Sequence, residues 1–251
     1  MENQKKQRLH LLDALRGWTL INMILYHGLW DLVNIAGIPM AWYSGKPGYL
    51  WQQSICWTFI LLSGYCWSMS RNHLRRGLLV FGGGALVSLV THLLMPESSI
   101  SFGILTCLGS CMLLMIPMEK LLRRVKPCWG VAVSALLFFL LRNCSDHQLG
   151  FEEIVLAQLP DGLYRNMLTA YLGFPMAGFY SADYFPLIPW LALFILGYFL
   201  QRICREKGLD QKLFAGGQVP VLNWMGRRSL LIYLLHQPML YGLCLLYMYL
   251  T

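Results

Sequence analysis

The stretch Ile21–Val33, "INMILYHGLWDLV", has the apolar content of a helix that crosses a lipid bilayer, interrupted by His27 and Asp31. Whether it is a membrane helix decides the fold, and composition answers first. Of 251 residues, 57% are hydrophobic and 13% charged, with a mean hydropathy of +0.50. A soluble domain carries roughly twice that share of charge. A bilayer requires runs of about 20 mostly apolar residues. Seven such runs lie near 13–36, 48–69, 77–95, 101–119, 128–142, 185–202 and 226–249. The expected fold is all-α: a polytopic integral membrane bundle of about seven transmembrane helices, forming a single domain over residues 1–251.

A formal net charge of +8 would suit a nucleic-acid binder, but its placement points elsewhere. Lys5, Lys6 and Arg8 precede the first run, and Arg71, Arg75 and Arg76 follow the second. Lys120, Arg123, Arg124 and Lys126 follow the fourth; Arg202, Arg205, Lys207, Lys212, Arg227 and Arg228 lie between the sixth and seventh. The other ends hold only Lys46, Arg142 and Arg165, set among Glu97, Asp146, Glu152, Glu153, Asp161 and Asp183. This is the positive-inside asymmetry, which places the N-terminus in the cytoplasm and the C-terminus outside. No nucleic-acid partner is expected; a cytoplasmic anionic ligand is a second reading of the same cations.

The first run follows a basic start, as a signal peptide would. It is too long, carries Asp13 and Arg16, and lacks a small-residue cleavage pattern, so it reads as a retained anchor. The eight cysteines lie mostly within apolar runs, with no CxxC and no Cys/His ligand spacing. They read as buried apolar residues, not as a disulfide framework or a metal site, and no metal is expected. "FGGGALVSL" (Phe81–Leu89) lacks the Gly-Lys-Ser/Thr of a phosphate loop and reads as small residues that let helices approach closely.

Most connections are short. The exception, about 143–184, is an outer loop rich in aromatics, glycine and proline, whose Leu163–Ala177 part has the pattern of a short re-entrant or interfacial helix. A long outer loop of this kind is usually functional.

Within the first run the polar residues are not scattered. At about 100° per residue, Asp13, Arg16, Thr19, His27, Asp31 and Asn34 share one stripe of the helix. An ionised aspartate at a helix centre costs about 2.5–3.5 kcal/mol on insertion scales, so Asp31 needs a partner or a place at the outer end, and His27 lies one turn away. A carboxylate beside a histidine fixes the ring tautomer and leaves the other nitrogen to exchange a proton. His27 sits about 16 Å along the helix from Arg16, near mid-bilayer. The last run repeats the pattern: in "GRRSLLIYLLHQPML", Ser229, Tyr233, His236 and Gln237 share a face, His236 lies at a depth similar to His27, and Pro238 should kink the helix. The second run adds Ser63 before "YCWSMSRNHLRR".

Together, "RLHLLDALRGWTLINMILYHGLWDL", "FILLSGYCWS", "ISFGILTCLGSCMLL", "DYFPLIPWLALFILGYFL" and "VLNWMGRRSLLIYLLHQPML" resemble bacterial members of the heparan-α-glucosaminide N-acetyltransferase catalytic-domain family, related to the acyltransferase-3 enzymes. The resemblance runs through nearly the whole chain in order. It implies transfer of an acetyl or other acyl group from cytoplasmic acyl-CoA, as co-substrate, to an extracytoplasmic sugar amine or hydroxyl. It matches His27 to the histidine regarded as catalytic in acyltransferase-3 proteins. "GIPMAWYSGKPGYL" contains no histidine, whereas the animal lysosomal member has its proposed catalytic one in that region.

The expected roles follow. His27, Asp31 and His236 handle the proton; His27, oriented by Asp31, acts as base, and Ser63, Tyr233, His236 or Gln237 donates to the developing oxyanion. Arg16, Ser63, Arg71, Arg75, Arg76, Arg227 and Arg228 hold the CoA, whose phosphates guanidinium groups suit. Asn34, Tyr233, Gln237, Asp183 and Tyr184 meet the acceptor. The expected setting is the plasma (inner) membrane, with the bilayer, acyl-CoA and a glycan or amino sugar as partners; a homo-oligomer is compatible with the chain. A second reading makes His27–Asp31 the proton relay of a transporter or flippase. It leaves the inner arginines and the outer aromatics unexplained, and seven runs do not divide into two inverted halves.

Overall fold

A computed structural model of the chain describes residues 9–214, 216 and 218–250. Lys5, Lys6 and Arg8 of the inner-charge pattern lie outside the described residues. The protein is a helical membrane protein with very little strand. Each of the seven apolar runs forms a helix: α1 His10–Asn34, α2 Lys46–Tyr65, α3 His73–Leu94, α4 Ile104–Leu122, α5 Pro127–Leu140, α7 Leu187–Glu206 and α10 Ser229–Leu250. Shorter helices are α6 Met167–Leu172, α8 Leu209–Phe214 and α9 Pro220–Arg227.

Four of these, α3, α4, α7 and α10, are long and apolar enough to cross a membrane. α5 is apolar but only 14 residues long. α1 has the length, yet Asp13, Arg16, His27 and Asp31 lower its hydropathy; the polar stripe itself sets it apart from the plain spans. The part of the outer loop with helical pattern is the six-residue α6, too short to span a bilayer. Its Asn166 side chain accepts from Leu168 and Thr169 N–H, while Thr169 reaches back to the Asn166 N–H as a capping box. The loop also contains a feature the sequence pattern did not announce, an antiparallel hairpin of β1 Gln148–Phe151 and β2 Ile154–Gln158. Asn143 holds its turn, donating to the Glu152 carbonyl at 2.8 Å and accepting from the Glu152 N–H at 2.9 Å.

The chain divides into two compact units. The first comprises 1–59 and 204–251. In it α1 packs on α9 with almost no separation: a Cβ on Gly17 would overlap the Leu222 carbonyl, and one on Gly226 would overlap the carbonyl of Asp13. Asn223 ties the same crossing by donating to the His10 carbonyl. Leu20 and Met23 of α1 bury against Ile55 of α2, and Trp51 Nε1 donates to Asn22 Oδ1 at 3.0 Å. Trp18 and Leu25 point outward and are more than half exposed, as a lipid-facing side requires.

The second unit comprises 60–203. Here the glycine-rich stretch does bring helices together: Gly84 of α3 lies against Thr106 of α4, and Gly109 of α4 against Phe81 of α3. Arg202, counted among the inner cations, donates to the carbonyls of Leu122 and Val125 at 2.9 and 3.1 Å. It thereby closes the C-terminal end of α4, where orphan carbonyls need donors.

Candidate active site

In the first unit α1 and α10 bring together the polar residues of their two stripes. The His27 and His236 rings meet edge to face with centroids 5.0 Å apart. The Tyr233 ring lies 5.2 Å from that of His236. Gln237 Nε2 donates to Asp31 Oδ1 at 2.8 Å, and the Cys244 thiol points to the Asp31 carbonyl. Asp31 and His236 are buried, 1% and 7% exposed, and Asn34, at the end of α1, is exposed with its amide turned back to the Trp30 carbonyl.

This geometry corrects the expected pairing. The partner of Asp31 is Gln237 on the other helix; one carboxylate oxygen is bonded there, and the other, Oδ2, has no hydrogen-bond partner among the described residues. His27 therefore meets His236, not Asp31. A residue one turn away on the same helix is a neighbour, but Gln237 approaches from the side with an N–H already aimed at the carboxylate.

His236 is also constrained in a way the sequence did not reveal. Its Nδ1 lies on the Tyr233 carbonyl, which can only accept, so in the neutral ring Nδ1 carries the hydrogen. Nε2 is then the lone-pair nitrogen, and it is buried without a partner among the described residues. A neutral His236 held this way has no free N–H for an oxyanion; it is arranged to accept a proton. Gln237 directs its amide to Asp31 and leaves Oε1, a further acceptor, unpaired. The cluster thus presents three unpaired buried acceptors, Asp31 Oδ2, Gln237 Oε1 and His236 Nε2. Such groups are rare in native structures, and each calls for an explanation.

The cations expected to meet CoA fall into two sets. Arg16 pairs with Asp13 at 3.1 Å, while Arg227 and Arg228 are exposed beside the start of α10, the Arg228 guanidinium 4.9 Å over the Trp224 ring. Along α10, Ser229 to His236 spans about 10 Å at the usual rise. In the second unit Arg71 and Arg75 are exposed at the start of α3, and Arg76 lines a small crevice with Ser63, Trp67, Ser70, His73 and Met112. His73, not singled out from sequence, stacks on Trp67 at 3.9 Å and 16°, with Nδ1 buried and unpaired among the described residues. Its place in the "SRNHLRR" segment beside the arginines was the available signal.

Asp183 and Tyr184 are committed to the fold of the outer loop. Asp183 accepts from the Ile104 N–H at 3.2 Å, placing a carboxylate at the N-terminus of α4, where the helix dipole favours it. Burial pushes the Asp183 carboxyl up to about 6, and the Ile104 N–H opposes that rise. Tyr184 donates to the Ala170 carbonyl. His147 stacks on Tyr164 at 3.5 Å, and burial raises the Tyr164 hydroxyl to about 12. Among the described residues no group of three or more His, Cys, Asp or Glu side chains could hold a metal ion.

No curated protein matches the chain, and no solved structure does. Residues 8–238 match the family described as heparan-alpha-glucosaminide N-acetyltransferase, catalytic. That span includes both polar stripes, every arginine considered above and the whole outer loop. With its sequence matched over nearly its full length, the chain belongs to the heparan-alpha-glucosaminide N-acetyltransferase catalytic family.

Proposed function

We propose that this membrane acetyltransferase moves an acetyl or similar acyl group from cytoplasmic acyl-CoA to an extracytoplasmic sugar amine or hydroxyl, and that His27 and His236 form its catalytic centre. The observation that carries the reading is the buried, unpaired Nε2 of His236, whose ring lies 5.0 Å from that of His27, on a helix preceded by Arg227 and Arg228. A thioester is already activated, so the reaction needs a positioned base and an oxyanion donor.

His236, its tautomer fixed by the Tyr233 carbonyl, takes the proton of the attacking amine or hydroxyl. His27 presents an N–H to the carbonyl oxygen as negative charge develops there. Asp31, bonded by Gln237, holds α1 and α10 in register. Exposed arginines at the inner helix ends bind the phosphates of CoA as bidentate donors, and the charge pattern of the sequence supplies two sets for this, Arg227 and Arg228 or Arg71 and Arg75. The N-terminus is cytoplasmic, the helices of all seven apolar runs lie within the bilayer with the short α5 among them, and the enzyme resides in the plasma membrane; the inner excess of lysine and arginine supports this orientation.

The test uses purified protein in nanodiscs with acetyl-CoA labelled in the acetyl group and a panel of amino sugars. Thioester turnover that depends on the acceptor and is lost in a folded His27→Ala variant supports the proposal. Movement of a solute across the membrane without loss of thioester would instead favour the proton-relay transporter.

A further inference from the structure

Within the first unit, α9 has two faces of opposite character. Asn223 and Gly226 are buried, against the His10 and Asp13 carbonyls of α1. On the other face Val221 and Trp224, with Arg228 at the helix end, stand three and four residues apart and form one stripe. Val221 is 65% exposed and Trp224 47%, and the Arg228 guanidinium lies 4.9 Å over the Trp224 ring. Leu213 and Val219, on the chain leading into α9, are exposed as well, and so is Arg227.

Position and charge say what covers this face. α10, long and apolar enough to cross a membrane, begins at Ser229, the residue after Arg228, so chain continuity places α9 at a bilayer surface. Trp18, beside the Gly17 that meets Leu222 of α9, is exposed at the same level. Residues 204–228 hold Arg205, Lys207, Lys212, Arg227 and Arg228 against only Glu206 and Asp210, so the segment attracts anions. A soluble anion would answer the arginines alone and leave Leu213, Val219 and Val221 in water. A surface of anionic phospholipid covers both, the apolar side chains entering the acyl boundary and the cations meeting the phosphates. Tryptophan suits that boundary, with an apolar ring and one N–H.

We propose that the exposed face of α9 binds anionic phospholipid: Val221 and Trp224 lie in the boundary between headgroups and acyl chains, and Arg227 and Arg228 donate to the lipid phosphate. Stacking on Trp224 leaves the edge N–H groups of Arg228 free for phosphate oxygens. On the orientation proposed above, the leaflet is the cytoplasmic one. α9 meets α1 backbone to backbone and runs into α10, so a headgroup held there sets the depth of the two helices that carry His27 and His236. With Arg227 and Arg228 on lipid, Arg71 and Arg75 are the set left for CoA. The lipid site rests on the membrane character of the chain and not on acyl transfer.

The test places an NBD fluorophore on the full chain at Val221→Cys, with Cys128→Ser and Cys204→Ser removing the accessible background thiols. The labelled protein is held in phosphatidylcholine nanodiscs that contain a small, equal share of nitroxide-labelled phosphatidylglycerol or nitroxide-labelled phosphatidylcholine, the nitroxide near the headgroup. Both lipids should quench, phosphatidylglycerol at least about fivefold more per mole, the factor that about 1 kcal/mol for a single arginine at an anionic surface supports. Arg227→Gln with Arg228→Gln should bring the two lipids within about twofold of each other while quenching persists. The preference should survive addition of CoA. No quenching by either lipid, or equal quenching by both, overturns the proposal without recourse to the arginine variant, as does a preference that the variant leaves unchanged. Loss of the preference on adding CoA assigns the arginines to the nucleotide and overturns it as well. Acceptor-dependent loss of thioester is scored separately on the unlabelled chain, so failure of acyl transfer and failure of the lipid site are told apart.

Discussion

Replacing Gly226 by alanine should separate α9 from α1, and the cost can be estimated from the crossing itself. The new methyl would fall on the Asp13 carbonyl oxygen, a backbone atom that cannot rotate away, and the two helices must part by more than 1 Å to restore ordinary contact. Overpacking costs typically about 1–3 kcal/mol where side chains can yield. Here backbone meets backbone, so about 3 kcal/mol or more is expected, against a gain of up to about 1 kcal/mol from helix propensity. Gly17→Ala meets the Leu222 carbonyl across the same crossing and should cost a similar amount. Once one methyl has forced the helices apart, the second meets less resistance, so the double variant should fall short of the sum by about 1 kcal/mol or more. Gly82→Ala is the control, because nothing lies within 4 Å of its Cβ position. Thermal unfolding in one detergent, with fluorescence of the tryptophans, measures all four variants. Gly226→Ala as stable as Gly82→Ala, or a strictly additive double variant, would refute the close crossing of α1 and α9.

Other expectations follow from the site and the outer loop. His236→Asn keeps an amide donor for the Tyr233 carbonyl but removes the basic nitrogen, so acetyl transfer should fall by about 10²–10⁴ with little change in unfolding temperature. Arg71→Ala with Arg75→Ala should raise KM for acetyl-CoA about tenfold or more and leave kcat nearly unchanged, as loss of charge-assisted contacts predicts. Asp183 has a raised carboxyl, so the folded protein binds its proton more tightly than the unfolded chain does. That contribution is intact below about pH 4 and declines as pH rises through about 6. The ceiling is about 3 kcal/mol, lowered because the residue is partly exposed to screening water. Unfolding followed from pH 4 to 7 should show this decline, and Asp183→Asn should flatten it.

The parts of the fold legible in the sequence are those governed by local pattern. Apolar runs near 77–95 and 226–249 became α3 His73–Leu94 and α10 Ser229–Leu250, because a run of that length and composition has few alternatives. The polar stripe on α1 also stood out, since helical periodicity alone assigns Asp31 and His27 to one side. What could not be read were partners brought from elsewhere in the chain. Gln237 reaches Asp31 across 206 positions of sequence, and no pattern on α1 records that. The Nδ1–H tautomer of His236 depends on a backbone carbonyl three residues earlier, a matter of rotamer and not of composition. The hairpin Gln148–Gln158 escaped notice because its strands are four and five residues long and turn at Glu152–Glu153 without the usual Asn-Gly or Asp-Gly signal. Asp183 resembled a sugar ligand by its setting among aromatics, yet its carboxylate sits at the N-terminus of α4.

The central claim, transfer of an acyl group from one face of the membrane to the other, is tested most directly in proteoliposomes of known orientation. Labelled acetyl-CoA is supplied only on the face bearing Arg71, Arg75, Arg227 and Arg228, and glucosamine only on the other. The account predicts labelled acetyl product on the acceptor side, dependent on His27 and His236. Product formed only when both substrates share one face, or none in any arrangement with acetyl- or longer acyl-CoA, would contradict it.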